Sequence, residues 1–425
     1  MLLRLSASNF LSFSEGQELS LVASGLKGPE EGLLPIPGTD LFAVPSAIVY
    51  GANASGKTNF VKSLRFMRAA IIDSHRLGRP EGGVPRVPFK LDPTKATAPT
   101  VVEADFIVDG VRFQYGFECD DDKFLSEWLF SYPEGKRRRM FERSGGNVEF
   151  GSFFKGPKKI LVDLMRPNSL FISTATQNDH EELSKIVSFF RNIKFSINLS
   201  VAKELINNTF KKDQIDSRTI AFLTAVGTGI TGYRQTDIEI PDTLRNFSKE
   251  FSELARKHMG DSVSVEDNLS DRSSDVAIEL AHAGAGGETC YFGLERESSG
   301  TRRLILLMNN IFKSLDRGSV IVIDELDASL HTHAAEKIIS LFSNPSVNKN
   351  GSQLITTTHD TNLLNCSCLR RDQIWFCEKD YIGSSHIFPL SDIKSRQTDN
   401  FEQGYLEGRY GAIPYSGNLT SLFGA

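Results

Sequence analysis

Apolar residues fall at every second position in LLRLSASNF and QELSLVA, near the start of the chain, a spacing that predicts half-buried strands. A Gly- and Pro-rich loop, GLKGPEEGLLPIPGTD, follows. AVPSAIVY is a short β-branched run of the buried-strand type. It leads directly into GANASGKT and then into a helix-like segment, NFVKSLRFMRAAIIDSH. Beyond Pro80, TVVEADFIVDG, VRFQYGFECD and EWLFSYPEG predict an antiparallel β meander with turn residues between its strands. From Pro157 to Gly260 the spacing moves to three and four residues. EELSKIVSFFRNI, SRTIAFLTAVGTGI and TLRNFSKEFSELARKHM predict helices there, and DNLSDRSSD a polar loop. The last third alternates again. SSGTRRLILLMNNIFKSL and AAEKIISLFS predict helices, while SVIVIDEL, SQLITTTHD, DQIWFCEKD and SSHIFPL predict strands. The fold class is therefore α/β, with domain boundaries placed at 1–155, 156–272 (an inserted, mainly helical subdomain) and 273–425. Neither a fixed-period repeat nor a sustained heptad is present, so no long coiled-coil arm is expected.

Composition narrows this picture. With 425 residues, 40% hydrophobic and 24% charged, the chain holds enough apolar material for a sizeable core. Its 30 Phe against 2 Trp and 9 Tyr read as core filling. A net charge of -5 excludes a polycation that coats nucleic acid along its whole length. One stretch departs from that balance. Between Lys136 and Arg166 stand Lys136, Arg137, Arg138, Arg139, Arg143, Lys155, Lys158, Lys159 and Arg166, against only Glu142, Glu149 and Asp163. It reads first as a solvated hairpin and loop, and second as a phosphate- or nucleic-acid-binding patch. Five cysteines with no regular spacing suit a reducing, cytoplasmic setting. Cys366 and Cys368, a lone C-x-C, read as buried thiols and not as a zinc site, because a structural zinc needs four ligands. MLLRLSASNF has no long apolar core of the signal-peptide type, and no run of 18 or more apolar residues occurs, so neither a signal peptide nor a membrane span is expected.

The chemistry concentrates in GANASGKT, Gly51–Thr58, which fits G-x-x-x-x-G-K-[ST] and lies between an expected strand and an expected helix, as that motif requires. Glycines let the backbone curl until several N–H groups face one phosphate, and the following helix adds its positive end. Lys57 would reach the β- and γ-phosphates and Thr58 would ligate Mg2+. The candidate nucleotide-binding set here is Gly51, Asn53, Ser55, Gly56, Lys57, Thr58 and Asn59. VIVIDE places Asp324 at the end of a buried strand, where ligands of open α/β sheets sit, as a second Mg2+ ligand. Glu325 follows as the candidate general base. ITTTHD ends another strand at His359, a candidate sensor of the γ-phosphate or the attacking water. Lys57, Glu325 and His359 form the candidate catalytic set. In ESSGT, Ser298 or Ser299 can cap a helix and Gly300 allows close backbone approach. Leu304, Leu307, Met308, Ile311 and Leu315 supply that helix with an apolar stripe.

In this order GANASGKT, ESSGT, VIVIDE and TTTHD resemble the ABC-type P-loop ATPase head of the SMC, RecF and OLD proteins. The resemblance implies that Lys57 and Thr58 are the Walker A pair, Asp324 and Glu325 Walker B and its catalytic glutamate, and His359 the switch histidine. It implies that Ser298, Ser299 and Gly300 are the signature turn, although the fuller L-S-G-G-Q form is absent. LDASLH would be the D-loop, with His331 where many such heads carry Asp. His331 and His333 would then be dimer-interface residues. The sequence does not place a Q-loop glutamine: Gln114 falls on an expected strand of the meander and Gln177 in the inserted region. ASNFLSFSE, VPFKLD, SLFISTATQ, DELDASLHTH, TTTHDTNLL, LRRDQIWFCEKD and YLEGRYGAIP are similar to the AAA-15/AAA-21 bacterial ATPases, among them abortive-infection ATPases of the AbiL/RloA kind. The likeness implies an ATP- and Mg2+-dependent ATPase subunit of an antiphage system. It would form a head-to-tail homodimer that gates a partner effector such as a TOPRIM-type nuclease. The alternative is a RecF- or SMC-like DNA-repair ATPase that binds DNA directly.

Overall fold

The computed structural model describes residues 1–196, 214–239, 241–243, 246, 249–250, 274–328, 330–396 and 399–413. Contacts divide the chain into two compact units, Met1–Ser196 with Lys313–Ala425, and Ile197–Phe312. The boundaries read from the sequence fell at 155/156 and 272/273.

The first unit is built on two sheets. One is antiparallel and seven-stranded, in the spatial order Asn147–Phe150, Arg138–Ser144, Phe124–Tyr132, Val111–Cys119, Thr100–Val108, Leu2–Ser8 and Gln17–Ser20. Its inward positions are apolar: Leu2, Leu5, Leu19, Val102, Phe106, Tyr115, Phe117, Leu129 and Phe141 share one core with the helix Glu181–Asn192. Phenylalanine does much of the filling. Nine of the eleven largest fully buried side chains are Phe, and Phe106 stacks on Phe189 at 4.9 Å and 9°.

The second sheet is six-stranded: Lys194–Phe195, Val320–Ile323, Gln353–Thr357, Ser46–Tyr50, Ile374–Lys379 and Ser385–Pro389. Every neighbouring pair is parallel except the last, an antiparallel hairpin. Val320–Ile323, Gln353–Thr357 and Ser46–Tyr50 are buried at every position. That is why they read as unbroken apolar runs in the sequence, since parallel strands are covered on both faces. Parallel pairing also sets the C-terminal ends of these three strands side by side, with Ile323 opposite Thr356 and Thr357 opposite Val49.

A buried glutamine, Gln353, is one of the ties between the two sheets. Gln353 accepts from the Leu2 amide at 2.7 Å and donates to the carbonyls of Leu2 and Val44 at 3.0 and 3.3 Å. It is wholly excluded from solvent, so the strand Leu2–Ser8 is held to the start of the strand Gln353–Thr357 by an amide whose nitrogen and oxygen are both engaged.

In the second unit the expectation of helices holds in part and fails in part. SRTIAFLTA forms the helix Ser217–Ala225, capped by the Asp216 carboxylate. The continuation is not helical. Gly227 and Gly229 take positive φ, and Ile230–Glu239 runs as a strand antiparallel to Ser274–Ala283, which pairs in turn with Thr289–Gly293. The physical reason lies in ITGYRQTDIE, which carries Ile, Thr and Tyr, residues that favour a pleated surface. Most of TLRNFSKEFSELARKHM and DNLSDRSSD lies outside the described residues.

Candidate functional site

The loop Gly51–Gly56 turns directly off the strand Ser46–Tyr50 and enters the helix Lys57–Leu77. Two glycines are sterically required. A Cβ on Gly51 would lie 2.2 Å from the Cys377 carbonyl, and one on Gly56, at φ +117°, 2.2 Å from Ser385 Oγ. Ala54 also takes a left-handed conformation at φ 62°, and Asn53 and Ala54 lie exposed on the crest. Lys57 is buried and reaches back into the curl, donating to the carbonyls of Gly51 and Ala52 at 2.6 and 2.9 Å. Burial lowers its pKa, against the raising effect of nearby Cys377 and Asp324.

Residues distant in sequence brace the loop from behind. The Ser385 hydroxyl donates to the Ser55 carbonyl at 2.5 Å and the Cys377 thiol donates to it at 3.4 Å. Asn59 donates its amide to Ser12 Oγ at 2.7 Å, the oxygen that Ser385 also reaches. The Ser55 hydroxyl is buried without a hydrogen-bond partner.

The acidic side of the site begins where Val320–Ile323 ends. Thr58 donates to Asp324 Oδ1 at 3.2 Å, and Thr357 donates to the same oxygen at 2.6 Å. The Glu325 amide donates to Thr357 Oγ1 at 2.7 Å, and the Leu326 amide to the Thr357 carbonyl at 2.9 Å. Glu325 itself sits at φ 55°, a left-handed conformation uncommon outside glycine, with an exposed side chain. Two residues on, Asp327 accepts from the Thr358 hydroxyl at 2.8 Å and from the His359 amide at 3.2 Å. The His359 side chain is exposed. A hydroxyl and a carboxylate 3.2 Å apart, both hard oxygen donors, fit Mg2+, which takes few protein ligands and completes its shell with water and phosphate. The curled loop and Lys57 fit a nucleotide's phosphates.

The turn Ser298–Gly300 belongs to the second unit, except that its helix, Ser299–Arg317, runs on beyond it. Ser298 caps that helix: Oγ accepts from the Thr301 amide at 3.0 Å. Ser298 and Ser299 are exposed, and Gly300 half-buried. Leu304, Leu307, Met308, Ile311 and Leu315 are all buried, as their stripe predicts.

Other residues singled out in the sequence have local roles. Gln114 accepts from the Tyr132 hydroxyl at 2.7 Å, and Gln177 closes the helix Phe171–Gln177. His331 caps the helix Thr332–Ser343 and stacks on His333, which pairs with Glu336 at 3.2 Å. Ser329 of the D-loop lies outside the described residues. In the basic stretch, Arg143 is buried and donates to the carbonyls of Gly145, Ser169 and Pro167. Arg166 donates to the His75 carbonyl, and Arg139 pairs with Glu142 and Glu149. Arg137 and Arg138 lie over Phe130 and Phe153. All five thiols are free. No helix among the described residues is long and apolar enough to cross a membrane.

Thr357, Ser12, Ser385 and Cys377 had no place in the sequence reading. Only Thr357 left a signal, the run of three threonines before His359.

A phosphate loop between a buried strand and a helix, with an acidic pair after another strand of the same parallel layer, defines a P-loop nucleotide-binding domain. A family model described as "AAA domain, putative AbiEii toxin, Type IV TA system" matches residues 46–365, about three quarters of the chain, and the chain belongs to this AAA_21 family. Membership makes it a P-loop ATPase domain, a class that binds nucleotide, usually with Mg2+. Among solved structures it is similar to the Smc head domain with an extended coiled coil bound to the C-terminal domain of ScpA, from Pyrococcus furiosus. Identity is 13%, coverage 91% of this chain and 96% of that one, and the TM-score 0.38. No curated protein matches the chain.

Proposed function

We propose that this protein hydrolyses ATP with Mg2+, as a nucleotide-gated homodimer that controls a partner effector in a prokaryotic antiphage system. The observation that carries hydrolysis is the hydrogen-bonded chain Thr58–Asp324–Thr357–Glu325, which joins the loop helix and two strand ends at one place. The N–H groups of the loop, with Asn53, Ser55 and Gly56, would cradle the phosphates, and Lys57 would turn to them from its carbonyls. Thr58 and Asp324 would hold Mg2+, which supplies charge neutralisation on the phosphates when bound. Glu325 accepts the proton of the attacking water as the bond between the γ-phosphorus and ADP breaks, and His359 hydrogen-bonds the γ-phosphate.

Ser298, Ser299 and Gly300 of a second copy would close the site from the opposite side, with exposed hydroxyls at a helix N-terminus. Ser298 supplies the cap, so the exposed hydroxyl of Ser299 is not required for capping, which supports that reading. The family description, a putative toxin of a type IV toxin–antitoxin system, supports a link to such systems, while control of a separate effector, of the TOPRIM-type nuclease class, rests on the sequence resemblance alone. Direct DNA binding through Lys136–Arg166 is the weaker reading, because Arg143, Arg166 and Arg139 are engaged within the chain.

Phosphate release from Mg-ATP by the purified full chain tests the proposal. Glu325→Gln should lower turnover about 100-fold or more, a loss ordinary for a general base. Ser299→Arg should abolish turnover with the fold intact. Normal turnover by a folded Ser299→Arg would sink the composite site.

A further inference from the structure

The three threonines before His359 have three different partners. Thr356 donates to the Ile323 carbonyl at 2.9 Å, Thr358 to Asp327 at 2.8 Å, and Thr357 to Asp324 at 2.6 Å. Thr357 alone touches both acids, because the Glu325 amide donates to the same hydroxyl at 2.7 Å. We propose that Thr357 is a positioning residue that sets Asp324 and Glu325 for their separate tasks through one buried hydroxyl, a role resting on the hydrolysis reading above.

A hydroxyl carries one proton and can accept at its lone pairs. The Thr357 proton points to Asp324 Oδ1, so a lone pair is left for the Glu325 N–H, and both demands are met without water. Thr357 is buried on a strand whose every position is buried, so this hydroxyl cannot swing away to solvent. Its β-branched side chain also has few χ1 options.

The consequence for Asp324 is orientation. Its Oδ1 receives Thr357 and Thr58 together, which fixes the carboxylate plane against the residue that would share Mg2+ with it. The consequence for Glu325 concerns the backbone. At φ 55° its conformation persists only where the surroundings impose it. Thr357 imposes it twice, through its hydroxyl on the Glu325 amide and its carbonyl on the Leu326 amide. The turn that projects the Glu325 carboxylate outward is thus pinned to the strand that also carries His359. Replacing the hydroxyl with a methyl group removes its hold on Asp324 and the Glu325 amide, keeps the shape, and leaves the carbonyl contact to Leu326 in place.

Thr357→Val and Thr357→Ser, each in the full chain, test this in two ways. In Mg-ATP turnover, Thr357→Val should lower kcat about 10- to 100-fold with KM within about twofold, as displacement of reacting groups by a fraction of an ångström does. Thr357→Ser should recover most of that loss. A role confined to packing would favour valine, which keeps the β-branch, over serine. In amide hydrogen exchange, read on a peptide spanning 324–326, Thr357→Val should exchange about tenfold faster than the parent, and Thr357→Ser near the parent rate. Unchanged kcat in a folded Thr357→Val, or unchanged exchange, overturns the proposal. If the parent chain releases no phosphate, the hydrolysis reading falls, and the exchange comparison alone decides whether Thr357 holds the acidic turn. Should Thr357→Val not fold, Thr357→Ala carries the same comparisons.

Discussion

Replacing Gln353 with leucine should destabilise the first unit out of proportion to the size of the change. The two side chains have similar volume, so packing is largely kept. What is lost is the buried amide that accepts from the Leu2 N–H and donates to the carbonyls of Leu2 and Val44. Each buried group left without its partner costs about 1–3 kcal/mol, so the three together cost roughly 3–9 kcal/mol. The apolar leucine offsets about 1–2 kcal/mol of that by replacing a buried polar group. A net loss of about 1–8 kcal/mol is expected, large against the stability of an ordinary domain. Urea unfolding followed by tryptophan fluorescence reads it directly. Both tryptophans, Trp128 and Trp375, lie in the first unit, one on each of its sheets, so the signal reports that unit and not the other. A shift worth less than about 1 kcal/mol, with unchanged slope, would refute the idea that this glutamine joins the two sheets.

Two further outcomes follow from the loop and its surroundings. Gly56→Ala, whose Cβ would sit 2.2 Å from Ser385 Oγ at a φ of +117°, should weaken binding of a fluorescent ATP analogue about tenfold or more, and an unchanged Kd would show that the loop does not need this curl. Towards iodoacetamide near neutral pH, Cys366 should react first, since the hydrogen bond with the Cys368 thiol draws its pKa down to about 7. Cys119 and Cys377, pushed by burial up to about 12 and about 11, should react last. Peptide mapping that finds Cys377 modified as fast as Cys366 would contradict that order.

The parallel layer was legible in the sequence because strands buried on both faces show as unbroken β-branched runs, and VIVI and QLITT are such runs. The loop was legible because its glycines and Lys57 are contiguous. Strand 230–239 was not: it follows a helix closely, and its Gly, Arg and Asp positions dilute the alternation. Lys194–Phe195 is too short to carry any period and exists because Val320–Ile323 offers it a free edge. The brace behind the loop was hidden for a different reason. Ser12 and Ser385 meet across 373 positions, and no local pattern marks a serine whose partner is so remote. Counting charges between Lys136 and Arg166 overstates the surface charge there by one, because Arg143 is a buried carbonyl donor.

The site's assembly from two copies is tested most directly by light scattering on the eluting Glu325→Gln chain, with and without Mg-ATP. ATP should convert it to a stable dimer, and adding Ser299→Arg should return it to the nucleotide-free mass. A Glu325→Gln chain that binds ATP yet elutes at the same mass with and without it would contradict a site completed by a second copy.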